Sequence, residues 1–539
     1  MKILHCFLLF SLLVIIHGRS FNNFMSCSQT PYPDLCFHYI NPNDNIRTAH
    51  IDETYLITRF RNSAIQATLY QAMKVRDHLR STMDLGSFDD NDRNHVALID
   101  CLEFYEDSIA ELNRSTLSST SANSIDHSTM LSASLANHQT CLDGFRDFGF
   151  LVDDSNNFFL PIQIMSNFSK LVSNSLAITK AIAAAPSTSS STSCGQPLLD
   201  GLCPEWVYDD DKTLLQDMVG KGADMVVAQD GSGDFRTISE AVAAAEEARK
   251  GSGSGRFVIY VKGGIYKENV VIEKRMKNIM MVGDGMDRTI VTAMKNVQDG
   301  STTFQSATFA VAGEGFIAKD MTFENTAGPE KHQAVALRSN ADRSIFYRCS
   351  FKGYQDTLYA HSNRQFYREC HIYGTVDFIF GDGVVVFQNC NIFVRKPMLN
   401  QKNTITAQAR SDPNENSGFV IHNSVIGAAP DLKPVQGLYG TYLGRPWKAY
   451  SRTVIMKSYM DGLIEPAGWL PWAGDFGLRT VYYGEFMNTG DGANTKGRVE
   501  WPGYHVMTSA VEAERFTVES FLEGGGWIPA TGVPFVNGL

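Results

Sequence analysis

The sequence lacks the patterns by which several common protein classes are recognised. It has no basic excess, since 47 Lys and Arg stand against 58 Asp and Glu, giving a net charge of −11 and a pI of about 5.7. This balance argues against nucleic-acid binding. No apolar run reaches the length of a membrane helix, and the 13 histidines form no His-Glu-x-x-His pair. We therefore expect no nucleic-acid or membrane partner, no metal and no cofactor.

The chain begins with a segment typical of a secretory signal peptide. Lys2 precedes the apolar run CFLLFSLLVII, and HGRS follows it near a plausible cleavage position. The alternative is a buried N-terminal helix. Secretion permits oxidation of the nine cysteines that follow Cys6, and their odd number leaves at least one thiol unpaired. Two glycosylation sequons, at Asn113 and Asn167, fit a secreted, extracellular glycoprotein.

After the predicted signal peptide (residues 1–20), composition divides the chain into three regions. Residues 21–180 are poor in glycine and carry apolar residues at helical spacing, as in TYLITRFRNSAIQATLYQAMKVRDHL, which predicts an all-α four-helix bundle. Residues 181–222 contain the Ser/Thr-rich linker APSTSSSTSCGQP, where Cys194 and Cys203 could pair. Residues 223–539 hold many glycines and short β-rich runs such as RFVIYVKGG, which are typical of an all-β domain.

A repeat in the third region indicates how its strands are arranged. FYRC at 346–349 returns as FYREC at 366–370 and, more weakly, as FQNC at 387–390. A right-handed parallel β-helix takes roughly 20–25 residues per coil and stacks its coils about 4.8 Å apart. We therefore predict this fold; the alternative is chance repetition in a β-sandwich. The members of the predicted aromatic stack and cysteine ladder are Phe346, Phe366 and Phe387, and Cys349, Cys370 and Cys390.

The repeat also carries acidic and amide side chains that suit ester chemistry. Asp356 and Asp377 are 21 residues apart, so they are expected on neighbouring coils. Like charges at that distance raise one pKa and leave the other carboxylate ionised, which yields one acid and one nucleophile or base. Gln333 and Gln355 offer uncharged N–H donors for an oxyanion.

Three further residues fit the same chemistry. Arg445, in YLGRPW, can hold the ionised aspartate by a charge-assisted hydrogen bond. Trp447 and Tyr359 offer flat faces for a sugar ring. The competing interpretation is that all these residues belong to turns and internal polar ladders, of which β-helices have many.

Together these motifs resemble those of plant pectin methylesterases. The matching segments, spread over residues 223–539, are GGIYKENV, STTFQSATFAV, KHQAVALR, YQDTLYAHSNRQFY, GTVDFIFG and YLGRPWKAYSRTV. The resemblance implies the parallel β-helix fold and hydrolysis of the methyl esters of homogalacturonan in the cell wall, with release of methanol and acidic pectin. It also implies a monomer that works without a cofactor.

The resemblance implies a role for each matching residue. Asp377 in DFIFG corresponds to the nucleophile, and Asp356 in QDTL to the general acid that later acts as base. Gln333 and Gln355 correspond to the anion-hole donors, and Arg445 to the arginine that positions the nucleophile. Substrate contacts are implied for seven residues, two of which also have a catalytic role: Thr303, Gln333, Tyr359, Phe380, Arg445, Trp447 and Trp469.

Two local features of the third region follow from the same comparison. The family pairs Cys349 with Cys370, so a disulfide is expected there, in agreement with the spacing of one coil. Asp382-Gly383 follows DFIFG where the family has an Asn-Ala or Asp-Ala pair. We expect this change to loosen the turn beside Asp377 without abolishing activity.

Residues 21–180 resemble a pectinesterase inhibitor domain, on the segment ANHQTCLDGF and four cysteines. The family pairs these cysteines as Cys27–Cys36 and Cys101–Cys141. Met130 stands where the family has a tryptophan, and DKTLLQ (211–216) replaces a basic processing motif, so we expect slow cleavage there. The resemblance implies that the catalytic domain is inhibited, either by this N-terminal domain or by separate inhibitor proteins.

Three other functions compete with the esterase. A pectate lyase needs calcium, but in the loop DPNENSG (412–418) the glycine comes one position late for the EF-hand pattern, and Asn423 stands where Glu is needed. A polygalacturonase needs carboxylates spaced for acid and base at a glycosidic bond, which the one-coil spacing and the flanking glutamines fit less well. A non-enzymatic inhibitor or wall-binding protein would not need every catalytic position filled.

Overall fold

The computed structural model describes residues 26–40, 53–86, 92–117, 124–149, 160–184, 222–249 and 255–539. The predicted signal peptide, Cys194, Cys203 and the DKTLLQ segment lie outside these residues. None of the described helices is both long and apolar enough to cross a membrane.

The N-terminal region is the predicted four-helix bundle. A short helix, α1 (Pro33–Tyr39), precedes four long ones: α2 (Glu53–Leu85), α3 (Arg93–Leu117), α4 (Ser124–Asp147) and α5 (Ile162–Ala184). Each long helix contacts two of the others, so the four close into a ring. Their apolar faces meet in a core that contains the buried side chains of Tyr105, Leu112, Phe145 and Phe168.

Two disulfides brace this helical domain. Cys27, in a 3₁₀ turn (Cys27–Gln29), is bonded to Cys36 on α1. Cys101 on α3 is bonded to Cys141 on α4. Both pairings implied by the resemblance are confirmed.

The C-terminal region is a parallel β-helix of three sheets, as the repeat predicts. Sheet A has eleven strands: β1 (Met225–Val227), β2 (Phe257–Val261), β5 (Ile279–Gly283), β8 (Ile317–Lys319), β11 (Ser344–Tyr347), β14 (Arg364–Arg368), β17 (Val384–Gln388), β20 (Gly418–His422), β23 (Arg452–Met456), β25 (Tyr482–Phe486) and β26 (Tyr504–Val506). Sheet B has eight: β3 (Gly264–Lys267), β6 (Thr289–Ala293), β9 (Thr322–Asn325), β12 (Ser350–Lys352), β15 (His371–Gly374), β18 (Asn391–Val394), β21 (Val425–Ala428) and β24 (Tyr459–Met460). Sheet C has seven: β4 (Val270–Ile272), β7 (Phe309–Val311), β10 (Leu337–Ser339), β13 (Leu358–Ala360), β16 (Ile379–Gly381), β19 (Asn403–Gln408) and β22 (Thr441–Gly444).

The aromatic stack is present, but one of its predicted members is wrong. Phe346 pairs with Tyr367, and Tyr367 with Phe387, with ring centroids 4.8 Å apart at both steps. Phe366 instead points to the outer face of sheet A, against Phe535. The prediction aligned the two repeats at their first residue, so that Phe346 matched Phe366. FYREC, however, contains one residue more than FYRC, namely Glu369. This extra residue shifts the strand register by one position, and a shift of one moves a side chain to the opposite face of the sheet.

A turn conformation explains why the register must be counted from the cysteines. Arg348, Glu369 and Asn389 directly precede the three cysteines, and all three have φ near +55° (53°, 54° and 56°). This left-handed conformation is uncommon outside glycine. Its recurrence on successive coils marks the corner between sheets A and B and fixes the alignment.

The expected disulfide between Cys349 and Cys370 is wrong. Cys349, Cys370 and Cys390 are all buried free thiols in the core of the β-helix. Side chains at equivalent positions of stacked strands run parallel about 4.8 Å apart, whereas a disulfide needs Cβ atoms that converge to roughly 3.5–4.5 Å. The thiols instead donate to backbone carbonyls, for example Cys370 Sγ to Phe346 O at 3.2 Å.

The interior of the β-helix is built without the helical domain. Its core cluster consists of residues from Val227 to Tyr483, and all of them lie in the C-terminal region. Helix α6 (Ile238–Arg249) closes one end, because Ile238 and Ala245 join this core and the helix contacts β1, β2 and β4. Two short helices, α7 (Ala510–Glu514) and α8 (Val518–Leu522), belong to the segment that covers the outer face of sheet A.

Candidate active site

The two aspartates lie on successive coils at the entrance to sheet C. Leu358 on β13 pairs with Ile379 on β16, so Asp356 and Asp377, each two residues earlier, occupy equivalent positions. The backbone N–H of Asp356 donates to Val376 O at 3.1 Å. Both aspartates have positive φ, 62° and 51°, a conformation that aspartate adopts more readily than most residues. The predicted spacing of one coil is therefore observed.

The side chain of Asp377 is held by two residues. Arg445 donates from Nε to Oδ1 at 2.8 Å and from Nη2 to Oδ2 at 2.6 Å. Thr404, on β19 of the next coil, donates from Oγ1 to Oδ1 at 2.6 Å and accepts the Asp377 backbone N–H at 2.9 Å. Oδ1 thus receives two of these donors and Oδ2 receives one. The guanidinium of Arg445 makes charge-assisted hydrogen bonds, so this arrangement fixes the orientation of the carboxylate.

Asp356 has a different electrostatic environment. Burial raises its pKa well above the usual value, the nearby charge of Asp377 raises it further, and Asp147 of the helical domain adds to the effect, while Arg445 opposes it. A carboxyl group in such surroundings stays protonated at pH values where exposed aspartates are ionised. The pair therefore combines a neutral acid with a fixed carboxylate.

Both aspartates open into a cavity of about 420 Å³. Half-buried amide side chains of Gln333 and Gln355 line it beside Asp356. Aromatic rings form part of its wall, with Tyr359 and Phe380 stacked at 4.2 Å and Phe380 at 5.8 Å from Trp447. The other catalytic-domain residues in the lining are Thr302, Thr303, Phe304, Ala407, Arg445 and Trp472.

One predicted aromatic residue of the site is wrong, and another was missed. Trp469 is 1% exposed, stacks on Tyr483 at 4.1 Å and belongs to the β-helix core. It pairs with Gly444, the last residue of β22, and points inward. Trp472, three residues later, lies in the cavity wall with the Arg445 guanidinium 4.4 Å from its ring. The sequence GWLPW contains both tryptophans, and nothing in it indicates which one faces the core.

Asp382 and Gly383 fit the turn after β16. Asp382 Oδ1 accepts from Ser417 Oγ at 2.6 Å and from Gln408 Nε2 at 3.2 Å, and burial raises its pKa to about 6. A Cβ at Gly383 would lie 3.1 Å from Ala360 O, so the small residue suits the close approach of the neighbouring coil. These contacts argue against the expected loosening of the turn.

The helical domain covers this site. Five of its residues, Thr140, Asp143, Gly144, Arg146 and Asp147, line the same cavity as the two aspartates. Asp147 Oδ2 accepts the backbone N–H of Thr303 at 2.7 Å. Thr140 Oγ1 lies 3.3 Å from the Tyr359 hydroxyl and 2.9 Å from His361 Nε2. Helix α4 therefore lies across the candidate site.

Acidic residues dominate the helical side of the interface. Asp100 accepts from Thr302 Oγ1 and from Gln305 Nε2, both at 2.5 Å. Lys274 Nζ lies 3.1 Å from Asp107 and 3.0 Å from Glu111. Burial raises the pKa of Asp100 to about 7 and that of Asp147 to about 6.

Within the described part of the chain, no group of three or more His, Cys, Asp or Glu is arranged to hold a metal ion.

Comparisons with known proteins agree with this arrangement. The family model described as Pectinesterase matches residues 224–525, and that described as Plant invertase/pectin methylesterase inhibitor matches residues 25–178. A probable pectinesterase/pectinesterase inhibitor 6 of Arabidopsis thaliana is 51% identical over 537 residues, which cover 95% of this chain and 94% of the relative. Pectinesterase 2 of Citrus sinensis is 49% identical over 513 residues, with the same shares covered.

A solved structure matches the C-terminal region alone. The pectin methylesterase from carrot is 58% identical, with a TM-score of 0.58, and the match covers 60% of this chain and 100% of that chain. A β-helix of this family thus exists without a helical domain. The chain described here belongs to the pectinesterase family: it is a pectin methylesterase that carries an N-terminal inhibitor-like domain.

Proposed function

We propose that Asp377 is the nucleophile and Asp356 the acid and base in the hydrolysis of pectin methyl esters. Asp377 attacks the ester carbonyl carbon of a galacturonate methyl ester, and the carbonyl electrons move to the oxygen. Because Thr404 and Arg445 both donate to Oδ1, Oδ2 has more of its lone-pair directions free and is the attacking atom. The observation that carries the proposal is this fixed carboxylate beside a protonated one in a single cavity.

The first half-reaction ends with release of methanol. The amides of Gln333 and Gln355 donate to the oxyanion of the tetrahedral intermediate. As this intermediate collapses, the C–O bond to the methoxide breaks and Asp356 supplies the proton that makes it methanol. An acyl-enzyme remains, in which Asp377 is joined to the sugar carbonyl as an anhydride.

The second half-reaction restores the enzyme. Asp356, now ionised, takes a proton from water as the water oxygen attacks the anhydride carbonyl. The second intermediate expels the Asp377 carboxylate, which Arg445 and Thr404 hold in its original position. The product is an acidic galacturonate unit, and Asp356 is again protonated. Thr303, Tyr359, Phe380, Trp447 and Trp472 contact the sugar units.

The helical domain keeps the enzyme inactive until it is removed. A polymer needs an open groove, and α4 places Thr140, Asp143 and Asp147 within the cavity that a galacturonate unit must enter. The carboxylate of Asp147 also lies close enough to Asp356 to affect its pKa. Separate inhibitor proteins act on the same groove once it is open.

The protein is secreted to the cell wall and works there as a monomer. The signal peptide ends near residue 20, and the linker region 181–222 is cleaved slowly at DKTLLQ (211–216). Glycans are carried by the helical domain, where Asn113 is exposed on α3 and Asn167 is half-buried on α5.

Methanol release from methylated pectin tests this proposal. A specific protease site is placed within residues 201–221, and the purified full chain is cut and separated into its domains. We expect the released catalytic domain to liberate methanol and the uncut chain to be at least tenfold slower. Unsaturated products would indicate a lyase, and new reducing ends would indicate a glycoside hydrolase. Equal rates before and after the cut would refute the inhibition by the helical domain.

A further inference from the structure

The loop between β19 and β20 is a contact surface for the helical domain. In this docking loop, residues 411–416, Asp412 Oδ2 accepts from Ser173 Oγ on α5 at 2.5 Å. The backbone N–H of Asn416 donates to Ser132 Oγ on α4 at 2.9 Å. The residues of the docking loop do not line the catalytic cavity, so the loop holds the helical domain at a place separate from the substrate.

The side chain of Glu415 gives the docking loop its shape. It is 2% exposed, and its Oε2 accepts the backbone N–H groups of Ser411 at 2.6 Å and Asp412 at 2.8 Å. Its Oε1 is also buried, but no donor among the described residues reaches that atom. A buried polar atom without a partner is costly, so Oε1 needs a hydrogen atom from elsewhere.

Asp382, in the turn after β16, has the same kind of oxygen. Its Oδ1 accepts from Ser417 and Gln408, whereas Oδ2 is buried and no described donor reaches it. The carboxyl groups of Asp382 and Glu415 lie within hydrogen-bonding reach of each other. Two ionised carboxylates repel and have no hydrogen to share, whereas one proton between them forms a charge-assisted O–H···O bond.

The cations beside this pair do not neutralise it. Arg410 Nε donates to the backbone carbonyl of Glu415 at 3.1 Å, and Arg452 Nε to that of Ser417 at 2.6 Å. Neither guanidinium forms an ion pair with Asp382 or Glu415. The other titratable groups that face this region, from the loop, the neighbouring elements and the helical domain, are Asp412, Tyr450, Lys448, His361, Arg515, Lys180, Asp143 and Tyr32.

Burial therefore dominates the protonation of the pair. It raises the pKa of Asp382 to about 6. It raises the pKa of Glu415 well above the usual value, and the charge of Asp382 raises it further. The two groups titrate as a unit, and this unit keeps a proton at pH values where exposed carboxyl groups are ionised.

We propose that Asp382 and Glu415 share one proton, and that this proton holds the docking loop in the shape that accepts α4 and α5. When the proton passes to solvent, two negative charges are buried together, and Glu415 moves out to water. The N–H groups of Ser411 and Asp412 then lose their acceptor, and the loop loses its shape. Because the pKa is raised in the closed loop, this stabilisation is present at low pH and is lost as pH rises.

The consequence for the enzyme rests on the proposed function, which takes the docked helical domain to be inhibitory. The catalytic domain then contributes its own protonated group to the grip on its inhibitor-like domain. This group lies within the β-helix, apart from Asp100 and Asp147 of the helical domain.

Three substitutions separate the shared proton from other effects. Asp382→Asn places an N–H donor before Glu415 at every pH. Glu415→Gln keeps an acceptor for the two loop N–H groups and offers its own N–H to Asp382. Both variants thus keep a hydrogen bond and remove the titration. Asp412→Asn is the matched control, because it removes a carboxyl group of the same loop that lies outside the pair.

Hydrogen exchange at the amides of Ser411 and Asp412 reports the shape of the loop. The released catalytic domain is cut from each full-length variant, and exchange is expressed as protection relative to an unstructured peptide at the same pH. We expect wild-type protection to fall roughly tenfold or more between about pH 6 and about pH 9. Asp382→Asn and Glu415→Gln should stay within about twofold over that range, and Asp412→Asn should follow the wild type. Amides of β17 should keep their protection.

The exchange results can overturn the proposal in several ways. These are constant protection in the wild type, a wild-type fall in both pair variants, loss of the fall in Asp412→Asn, or an equal fall in β17. Thermal unfolding shows that each variant is folded.

Methanol release by the cut, unseparated protein tests the effect on docking. We expect Asp382→Asn to retain inhibition at least about threefold better than the wild type above neutral pH, because its loop keeps its shape. If the helical domain does not inhibit, the proposed function fails, and the exchange result still decides whether the proton is shared. Inhibition that is lost equally in Asp382→Asn and the wild type would refute the role of the pair in docking and leave the proposed function intact.

Discussion

Thr404 is expected to control the reactivity of Asp377, although it does not contact the reacting carbon. Its hydroxyl donates to Asp377 Oδ1 at 2.6 Å and accepts the Asp377 backbone N–H at 2.9 Å. Thr404→Val keeps the shape of the side chain and removes both hydrogen bonds. A hydrogen bond to a charged group is worth about 1.5–3 kcal/mol, which corresponds to roughly 10- to 100-fold in rate if the loss falls on the transition state.

The assay is methanol release by the released catalytic domain, with kcat and KM determined separately. We expect Thr404→Val to lower kcat roughly 10- to 100-fold with little change in KM, because Arg445 still pairs with the carboxylate but the attacking oxygen is less well oriented. Thr404→Ser retains the hydroxyl and should keep kcat within about threefold of the wild type. Thermal unfolding shows that each variant is folded. The reasoning is refuted if Thr404→Val retains kcat, or if Thr404→Ser loses as much as Thr404→Val.

Three other predictions concern the aspartates, the domain interface and the thiols. With an ester whose alcohol leaves easily, Asp356→Asn should release about one alcohol per enzyme and then stall, whereas Asp377→Asn should show no burst; the opposite result would exchange their roles. Burial in the docked arrangement raises the pKa of Asp100 to about 7 and that of Asp147 to about 6. If undocking exposes these carboxyl groups and returns their pKa values towards the ordinary range, docking is strongest near pH 4 and weakens as pH rises through 6 to 7. Titration of the cut, unseparated protein should therefore show inhibition lost over that range, with a flatter profile in Asp100→Asn; inhibition that strengthens with pH would contradict this. Cys349, Cys370 and Cys390 should resist thiol reagents in the native state and react after unfolding, and a disulfide found by peptide mapping would contradict the thiol ladder.

The β-helix was predictable because its middle coils are nearly equal in length. The 21-residue interval between Asp356 and Asp377 equals the strand register of β13 and β16, so spacing alone placed them together. The next coil is longer: Thr404 lies 27 residues after Asp377 and is still in contact with it. A repeat of constant length therefore does not predict that Thr404 lies beside Asp377. The segment NTITAQ also contains no cysteine from which the register of its strand could be counted.

Side-chain direction and domain contacts were harder to predict. Phe366 was placed in the wrong stack because one extra residue reverses which face of a strand a side chain occupies. Trp469 and Trp472 could not be distinguished, since the burial of Trp469 depends on its pairing with Gly444 on the preceding coil. The contact between Asp143 and Lys448 joins residues 305 positions apart, and such polar contacts between domains leave no periodic pattern in the sequence.

Helix α6 has a consequence for how the molecule avoids self-association. A β-helix without a cover at its first coil exposes the strand edges of β1, β3 and β4, which can accept hydrogen bonds from the last coil of another molecule. Such a head-to-tail contact does not close on itself, so it would extend into a fibre. By packing Ile238 and Ala245 onto the first coil and contacting β1 and β4, α6 limits the stack of coils to one molecule. Twelve residues of helix thus guard the first coil of the β-helix against polymerisation.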